Sequence, residues 1–362
     1  MAAIRVGVVG ANPQAGWARR AHMPALAALP QFELTAVATR RAESAAAAAA
    51  AWGARLAFDD PTALASSRDV DLVVVSVRAP WHFDIALAAL ESGKHLFCEW
   101  PAGSNLAQTR GLAERAEAAG VRAFVGLQAR AAPPAVHARA LVADGYVGRV
   151  YAASVYAAFP TWGNPISSAY GADVMAGANV LTIAGGHSLD TAAFILGEDL
   201  VEVAGVESHL RSAVMATDIG EMVPLTAPDQ FACVGTLASG AVLSAHVVGA
   251  ALRSMTCQLR IFGDAGELFL EADGMPEVQP LRLSGTRDRA QAPVPIPVPD
   301  SRCLVPGVEG PALNMAHLYR LIADDLATGG RSAPDFASAL KTRTLLDAIQ
   351  RSAAGAGRIA LG

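Results

Sequence analysis

Near the start of the chain stands Ile4-Arg5-Val6-Gly7-Val8-Val9-Gly10-Ala11-Asn12-Pro13-Gln14-Ala15-Gly16-Trp17, and the reading of this stretch decides the fold. A β-branched run gives way to a Gly/Asn/Pro loop, and an Ala-rich helical pattern follows. Strand, tight turn and helix N-terminus in that order make the phosphate-binding corner of a dinucleotide-binding unit. The helix start leaves backbone N–H groups without intrahelical partners, its dipole adds positive potential, and small residues admit a pyrophosphate. Gly10 takes the first glycine position, Asn12 stands where the second is usual, and Gly16 comes one residue late for the third. Asn tolerates positive φ, so the turn is expected to survive the exchange. Trp17 opens the helix.

Outward from this corner, strands and helices alternate. Helices are predicted over 17–29, 42–52, 81–92 and 104–119, with a short one from 61, and strands over 32–39, 71–77, 95–98 and 121–127. Asp71 to Val77 is almost unbroken apolar sequence, as a strand buried on both faces requires. The alternation predicts an N-terminal Rossmann domain over 1–130, a doubly wound parallel sheet with right-handed crossovers. After a linking helix over 133–144, the grammar changes. A strand over 150–159 and an apolar helix over 179–196 lead into strands separated by Ser239-Gly240 and by Gly263-Asp264-Ala265-Gly266, which are hairpin signals. Residues 131–362 are therefore expected to form an α+β domain with a mostly antiparallel sheet, closed by helices over 314–328 and 335–353.

Composition narrows the class. The 362 residues favour two domains, and a 52% apolar content, much of it alanine, allows a large core. A net charge of −5 without a basic block argues against nucleic acid as a ligand. The four cysteines show no CxxC pairing, which suits reduced thiols in a cytoplasmic protein. No apolar leader precedes Ile4, and the uncharged stretch 151–172 carries too many Pro, Gly and Ser residues for a membrane span.

In a doubly wound sheet, ligands bind at the carboxyl ends of the strands. The residues converging there are Gly10, Asn12, Gly16 and Trp17; Thr39 and Arg40; Ser76, Val77, Arg78 and His82; Glu99 and Trp100; and Gln128. These form the candidate cofactor set. No acid follows the second strand before Glu43, whereas Thr39, Arg40 and Arg41 offer donors and positive charge. That end suits a ribose 2′-phosphate, so NADP(H) is favoured over NAD(H).

Val6-Gly7-Val8-Val9-Gly10, the strand ending Ser76-Val77, and Gly93-Lys94-His95 leading to Cys98-Glu99-Trp100-Pro101 together resemble the Gfo/Idh/MocA oxidoreductases, named for glucose–fructose oxidoreductase and inositol dehydrogenase. Val125-Gly126-Leu127-Gln128 and Gly185-Gly186-His187-Ser188-Leu189-Asp190 extend the likeness over nearly the whole chain. The resemblance implies a Rossmann domain, an open-faced sheet domain that often mediates oligomers, here a dimer or tetramer, and a nicotinamide cofactor. It also implies a lysine between Glu99 and Pro101 and an aspartate four residues before His187. This chain has Trp100 and Ile183 instead. Trp100 with the Asn12 loop resembles a branch close to the fungal galactose-regulon inhibitor, which acts through protein contacts.

His187 is the candidate catalytic acid/base, because an imidazole can exchange a proton with a substrate hydroxyl near neutral pH. Asp190, three residues on, is a candidate to orient it or to face substrate. Trp162, Tyr170 and Asn179, on or near the long uncharged loop, complete the substrate candidates, and Trp100 offers an apolar stacking surface. The other histidines show no metal-ligand spacing, and no metal is expected. The expected function is hydride transfer between NAD(P) and a sugar, cyclitol or related ring. The alternative is a nucleotide-binding regulator without chemistry.

Overall fold

The structure is a computed structural model and describes residues 2–361. The chain forms two compact units. One runs through Ala131 and takes in Cys303–Leu340; the other comprises Ala132–Arg302 and the chain from Lys341 on. Among the described residues no helix is long and apolar enough to cross a membrane.

The first unit contains a six-stranded parallel sheet. In chain order its elements are β1 (Ile4–Val9), α1 (Met23–Ala27), β2 (Phe32–Ala38), α2 (Ala42–Trp52), β3 (Leu56–Phe58), α3 (Pro61–Ala65), β4 (Leu72–Val75), α4 (His82–Glu91), β5 (His95–Glu99), α5 (Leu106–Ala118) and β6 (Ala123–Gly126). The sheet order is β3-β2-β1-β4-β5-β6, so the direction of winding reverses between β1 and β4 and leaves a crevice at their carboxyl ends. All four residues of β4 are buried, as its continuous apolar run demands. The helix expected from Trp17 starts with a π-helical turn, Ala18–His22, before α1. Strand β3 was not predicted: three half-exposed residues at a sheet edge carry too short a pattern to read.

Residues Cys303–Leu340 correct the expected division at 130/131, which kept 131–362 together. The helix Ala312–Thr328 presents Met315, Leu318, Tyr319 and Ile322 to the core that also holds Val8, Phe97 and Phe124 from the first sheet. Its apolar stripe is plain in the sequence, but a stripe does not say which sheet will cover it.

The second unit is built on a nine-stranded sheet. Its elements are α6 (Pro133–Ala143), β7 (Val150–Ala158), α7 (Gly186–Leu196), β8 (Leu200–Ser208), then β11 (Gln230–Leu237), β12 (Val242–Val248), β13 (Thr256–Gly263), β14 (Glu267–Ala272), β15 (Arg282–Thr286), β16 (Val294–Pro295) and β17 (Ile359–Ala360). The intervening β9 (Ala213–Ala216) and β10 (Glu221–Pro224) form a separate hairpin. The order is β16-β15-β14-β13-β7-β12-β11-β8-β17, with only β7 and β12 parallel. Burial alternates along β11, β12 and β13, so one face packs in the core and the other lies open. In register across the open face lie Val234, Ser244, Ser154 and Arg260, and beside them Ala232, His246, Tyr156 and Gln258.

Candidate functional site

The loop after β1 is shaped by one glycine. Gly10 has φ +96°, and a Cβ there would lie 2.1 Å from the Ser76 carbonyl oxygen. Only glycine lets the chain turn past the end of β4 so closely. Asn12 works differently from the expectation. No non-glycine residue among those described has positive φ. Instead the Asn12 N–H donates to the Gly10 carbonyl at 2.9 Å, and its Oδ1 accepts from the Gln14 N–H at 2.9 Å. The side chain closes an Asx turn, which holds the loop without a left-handed residue. Trp52, at the end of α2, donates its indole N–H to the Ala11 carbonyl at 2.9 Å and pins the loop from behind.

This loop walls a cavity of about 1120 Å³. Among the predicted residues, Gly10, Asn12, Gly16, Thr39, Arg40, Val77 and Arg78 line it. So do Pro13, Gln14, Arg41, Glu43, Ser44 and Trp81, which sequence reasoning left out of the site set. At the β2 end the Arg40 guanidinium carbon lies 4.9 Å from the centre of the half-exposed Trp81 ring, a cation–π stack that aims the charge. Thr39 and Ser44 hydroxyls are 2.6 Å apart, and no side chain caps the α2 N-terminus behind Arg41. Its first N–H groups are therefore open to an anion.

The other predicted cofactor residues sit elsewhere in the first unit. His82 is buried, its Nδ1 2.8 Å from the Pro101 carbonyl and its Nε2 3.0 Å from the Val77 carbonyl. It ties two strand-end loops together and contacts no open space; burial lowers its pKa. Trp100 is 5% exposed. Glu99 Oε1 lies 2.9 Å from His22 Nε2, within ion-pair distance but off the hydrogen-bond direction. The other His22 nitrogen is 2.7 Å from the Tyr319 hydroxyl, whose pKa is held well above the usual value by burial and by the Glu99 charge. Ser76 Oγ, Gln128 Oε1 and the Trp17 indole N–H are buried with no hydrogen-bond partner among the described residues. A nicotinamide dinucleotide fits what is present: a cradle that a Cβ would fill, anion-seeking helix ends, a wide cleft and orphaned polar atoms near the strand ends.

The second unit holds His187. A π-helical turn, Val180–Gly185, runs into α7 and delivers it; such irregularities recur at functional sites. Asn179 caps this turn. Its Oδ1 accepts from the Leu181 and Thr182 N–H groups, and Thr182 Oγ1 accepts from the Asn179 N–H at 2.8 Å. The Asn179 side-chain nitrogen is buried without a partner among the described residues. His187 is 5% exposed, and burial lowers its pKa to about 3, so the imidazole is neutral at pH 7. Its Nε2 lies 3.6 Å from Glu277 Oε1, and its Nδ1 is buried with no hydrogen-bond partner among the described residues. Sequence reasoning did not find Glu277, which sits in the β14–β15 connection.

Asp190, the residue expected to orient His187 or to face substrate, packs toward the last helix. It is buried and accepts from the Thr342 hydroxyl at 3.0 Å. Trp162 is also buried, edge-on to Phe159, and its carbonyl accepts from Arg211 at 2.7 Å. Tyr170 lies in the short turn Ala169–Ala172, half-buried.

Comparison with known proteins agrees with this architecture. Residues 4–127 match the model of an oxidoreductase family with an NAD-binding Rossmann fold, and 133–272 match the C-terminal domain of Gal80p. The dehydrogenase aclE of Aspergillus oryzae is 38% identical over 54% of this chain, and the matched part spans 55% of that protein's length. A solved structure of a Gal80p super-repressor mutant from Saccharomyces cerevisiae superposes with TM-score 0.88 at 23% identity, covering 99% of this chain and 98% of that one. The dTDP-3,4-didehydro-2,6-dideoxy-alpha-D-glucose 3-reductase of Streptomyces violaceoruber is 30% identical over 97% of this chain and 96% of its own. With that full-length kinship, the glycine cradle and the Rossmann strand order in one chain, the protein belongs to the Gfo/Idh/MocA family of oxidoreductases.

Proposed function

We propose that the chain is an NAD(P)-dependent oxidoreductase acting on a carbinol or carbonyl carbon of a sugar, cyclitol or related ring. The observation that carries this reading is His187, a buried neutral imidazole with one ring nitrogen unpartnered. A neutral imidazole can accept a hydroxyl proton in the oxidising direction and return it in the other. When bound, the nicotinamide supplies the hydride donor or acceptor. Gly10 and the loop to Gly16 would hold its pyrophosphate, with Val77 and Arg78 in the same cavity wall, and Trp100 puts an apolar side chain where the family has a lysine.

NADP(H) is the favoured cofactor. This reading is supported by Arg40, Arg41, Thr39 and Ser44 in the cavity wall beside the uncapped α2 N-terminus, since a phosphate held by them would draw on charge-assisted hydrogen bonds. The partners are a small sugar-like substrate and a second copy of the chain seated on the open sheet face, in a cytoplasmic dimer or tetramer. Charge introduced at Val234 or Tyr156 should lower the mass seen by light scattering.

The test is the absorbance of NADPH and NADH against a panel of sugars, keto-sugars and cyclitols, with His187→Ala alongside. Turnover lost in His187→Ala with cofactor affinity intact supports the reading; unchanged turnover sinks it. The regulatory alternative has its own support, in Trp100 at the lysine position and in the match to the Gal80p C-terminal domain. Tight cofactor binding with no turnover on the whole panel would favour it.

A further inference from the structure

We propose that Trp81 and Arg40 form a two-layer platform for the adenine base of the cofactor: the indole ring is the lower layer, the Arg40 guanidinium lies over it, and the base stacks on the guanidinium. The proposal rests on the dinucleotide-binding part of the function proposed above and not on its chemistry.

The cavity beside the Gly10 loop has a volume of about 1120 Å³, and both side chains line it. Among the described residues on its wall, Trp81 is the only aromatic one. It is 42% exposed. A large apolar ring left half in water forgoes hydrophobic stabilisation that a flat apolar ligand would restore. The backbone keeps the ring at the cleft. Trp81 ends the tight turn Ala79–Trp81, and its N–H donates to the Arg78 carbonyl at 3.0 Å. The next residue, His82, is buried with its ring nitrogens 2.8 Å from the Pro101 carbonyl and 3.0 Å from the Val77 carbonyl. Ile85, one turn further along α4, lines the same wall.

Arg40 reaches the ring from the end of β2, its guanidinium carbon 4.9 Å from the ring centre. A guanidinium is planar and has two faces. One meets the indole, and the other can carry a second flat π-system. The strand order says which end of the dinucleotide arrives there. The Gly10 loop suits the pyrophosphate, and the segment after β2 meets the adenosine ribose. Glu99, Trp100 and Gln128, from the ends of β5 and β6, are not among the residues lining this cavity, which leaves their side for the nicotinamide.

Two layers make the platform redundant. Without Arg40, the base drops onto the bared indole. Without Trp81, the guanidinium remains. Only loss of both layers leaves the base with no plane to stack on. When a 2′-phosphate is present, the edge of the same guanidinium donates to it. NADPH therefore uses Arg40 twice, and NADH uses it once.

The test is calorimetric titration of the full chain, Arg40→Ala, Trp81→Ala and the double variant with NADH and with 5′-AMP. Each single variant should weaken both ligands less than about threefold, and the double variant about 30-fold or more, beyond the product of the singles, as loss of a stacked base implies. Trp81→Phe in the Arg40→Ala background should bind within about threefold of Arg40→Ala alone, since a phenyl ring also stacks. An unchanged double variant, or one that only multiplies two small losses, overturns the proposal. A second measurement does not need the double variant to fold. In the chain labelled with fluorotryptophan, the Trp81 signal is the one missing from Trp81→Phe. It should move on adding 5′-AMP and stay on adding nicotinamide mononucleotide. The reverse response, or none to either ligand, overturns the platform. A chain that binds 5′-AMP through this pair but turns over no substrate keeps the platform and loses the oxidoreductase reading. A chain that turns over substrate, with the double variant binding as the parent does, keeps that reading and loses the platform.

Discussion

At the scale of single residues, the proposed nucleotide site gives Gly10 and Arg40 different tasks. Gly10 supplies space. An alanine there would need φ +96° and would set its Cβ 2.1 Å from the Ser76 carbonyl oxygen. Strain of that kind costs about 1–3 kcal/mol before the clash is counted. Gly10→Ala should weaken both NADH and NADPH by 100-fold or more in a fluorescence titration, with the second unit's fold intact; equal affinity would mean the loop has another way past β4. Arg40 supplies charge. Arg40→Ala should weaken NADPH at least tenfold and NADH less than threefold, because only NADPH carries a 2′-phosphate for the guanidinium to meet. Equal losses would refute the assignment. Trp81→Ala should reproduce a smaller part of the NADPH loss, since its ring lies 4.9 Å from the Arg40 guanidinium and aims it.

Among elements, what could be read from sequence was what is local. The β1 run, the Gly10 break, the buried β4 strand and the hairpins around Ser239-Gly240 and Gly263 to Gly266 each announce themselves within about ten residues. The dinucleotide cradle was legible for the same reason, since its loop is one continuous segment. Glu277 was not legible: nothing in Met275-Pro276-Glu277-Val278 points at a histidine ninety residues earlier, and only the packing of the second unit joins them. The turn at Asn12 was expected for the wrong physical reason, because a side chain that closes an Asx turn and one that tolerates positive φ look alike in sequence. The helix Ala312–Thr328 was found, yet its partner sheet was not. That partnership predicts the effect of cutting it. Leu318 is fully buried against the first sheet, and Leu318→Ala should cost about 2–5 kcal/mol. Thermal melts should show the loss in the transition that NADPH shifts upward, because the cofactor cradle and Leu318 share the first unit; a loss confined to a transition that cofactor does not move would place Leu318 elsewhere.

Over the whole molecule, buried neutral histidines set the response to acid. Burial lowers the pKa of His187 to about 3 and also lowers those of His82, His95 and His317. The sign follows from proton counting. Below the ordinary histidine value near 6.5, the unfolded chain binds protons that these folded side chains refuse, so stability falls as pH drops from about 6.5 toward the lowered values. Each fully refused proton costs about 1.4 kcal/mol per pH unit in that window. Asp71, whose carboxyl is held below its usual range by hydrogen bonds from Arg5, adds a further loss at lower pH. Above 6.5 the histidines are neutral in both states and contribute no slope. The urea midpoint should therefore hold steady from pH 8 to 7 and fall progressively from 6.5 to 4.5. His187→Gln should flatten that fall by up to one proton, whatever it does to activity. An unchanged slope in His187→Gln would mean that His187 takes up its proton in the folded chain as readily as in the unfolded one, and then its imidazole is not the neutral acceptor that the proposed hydride chemistry requires.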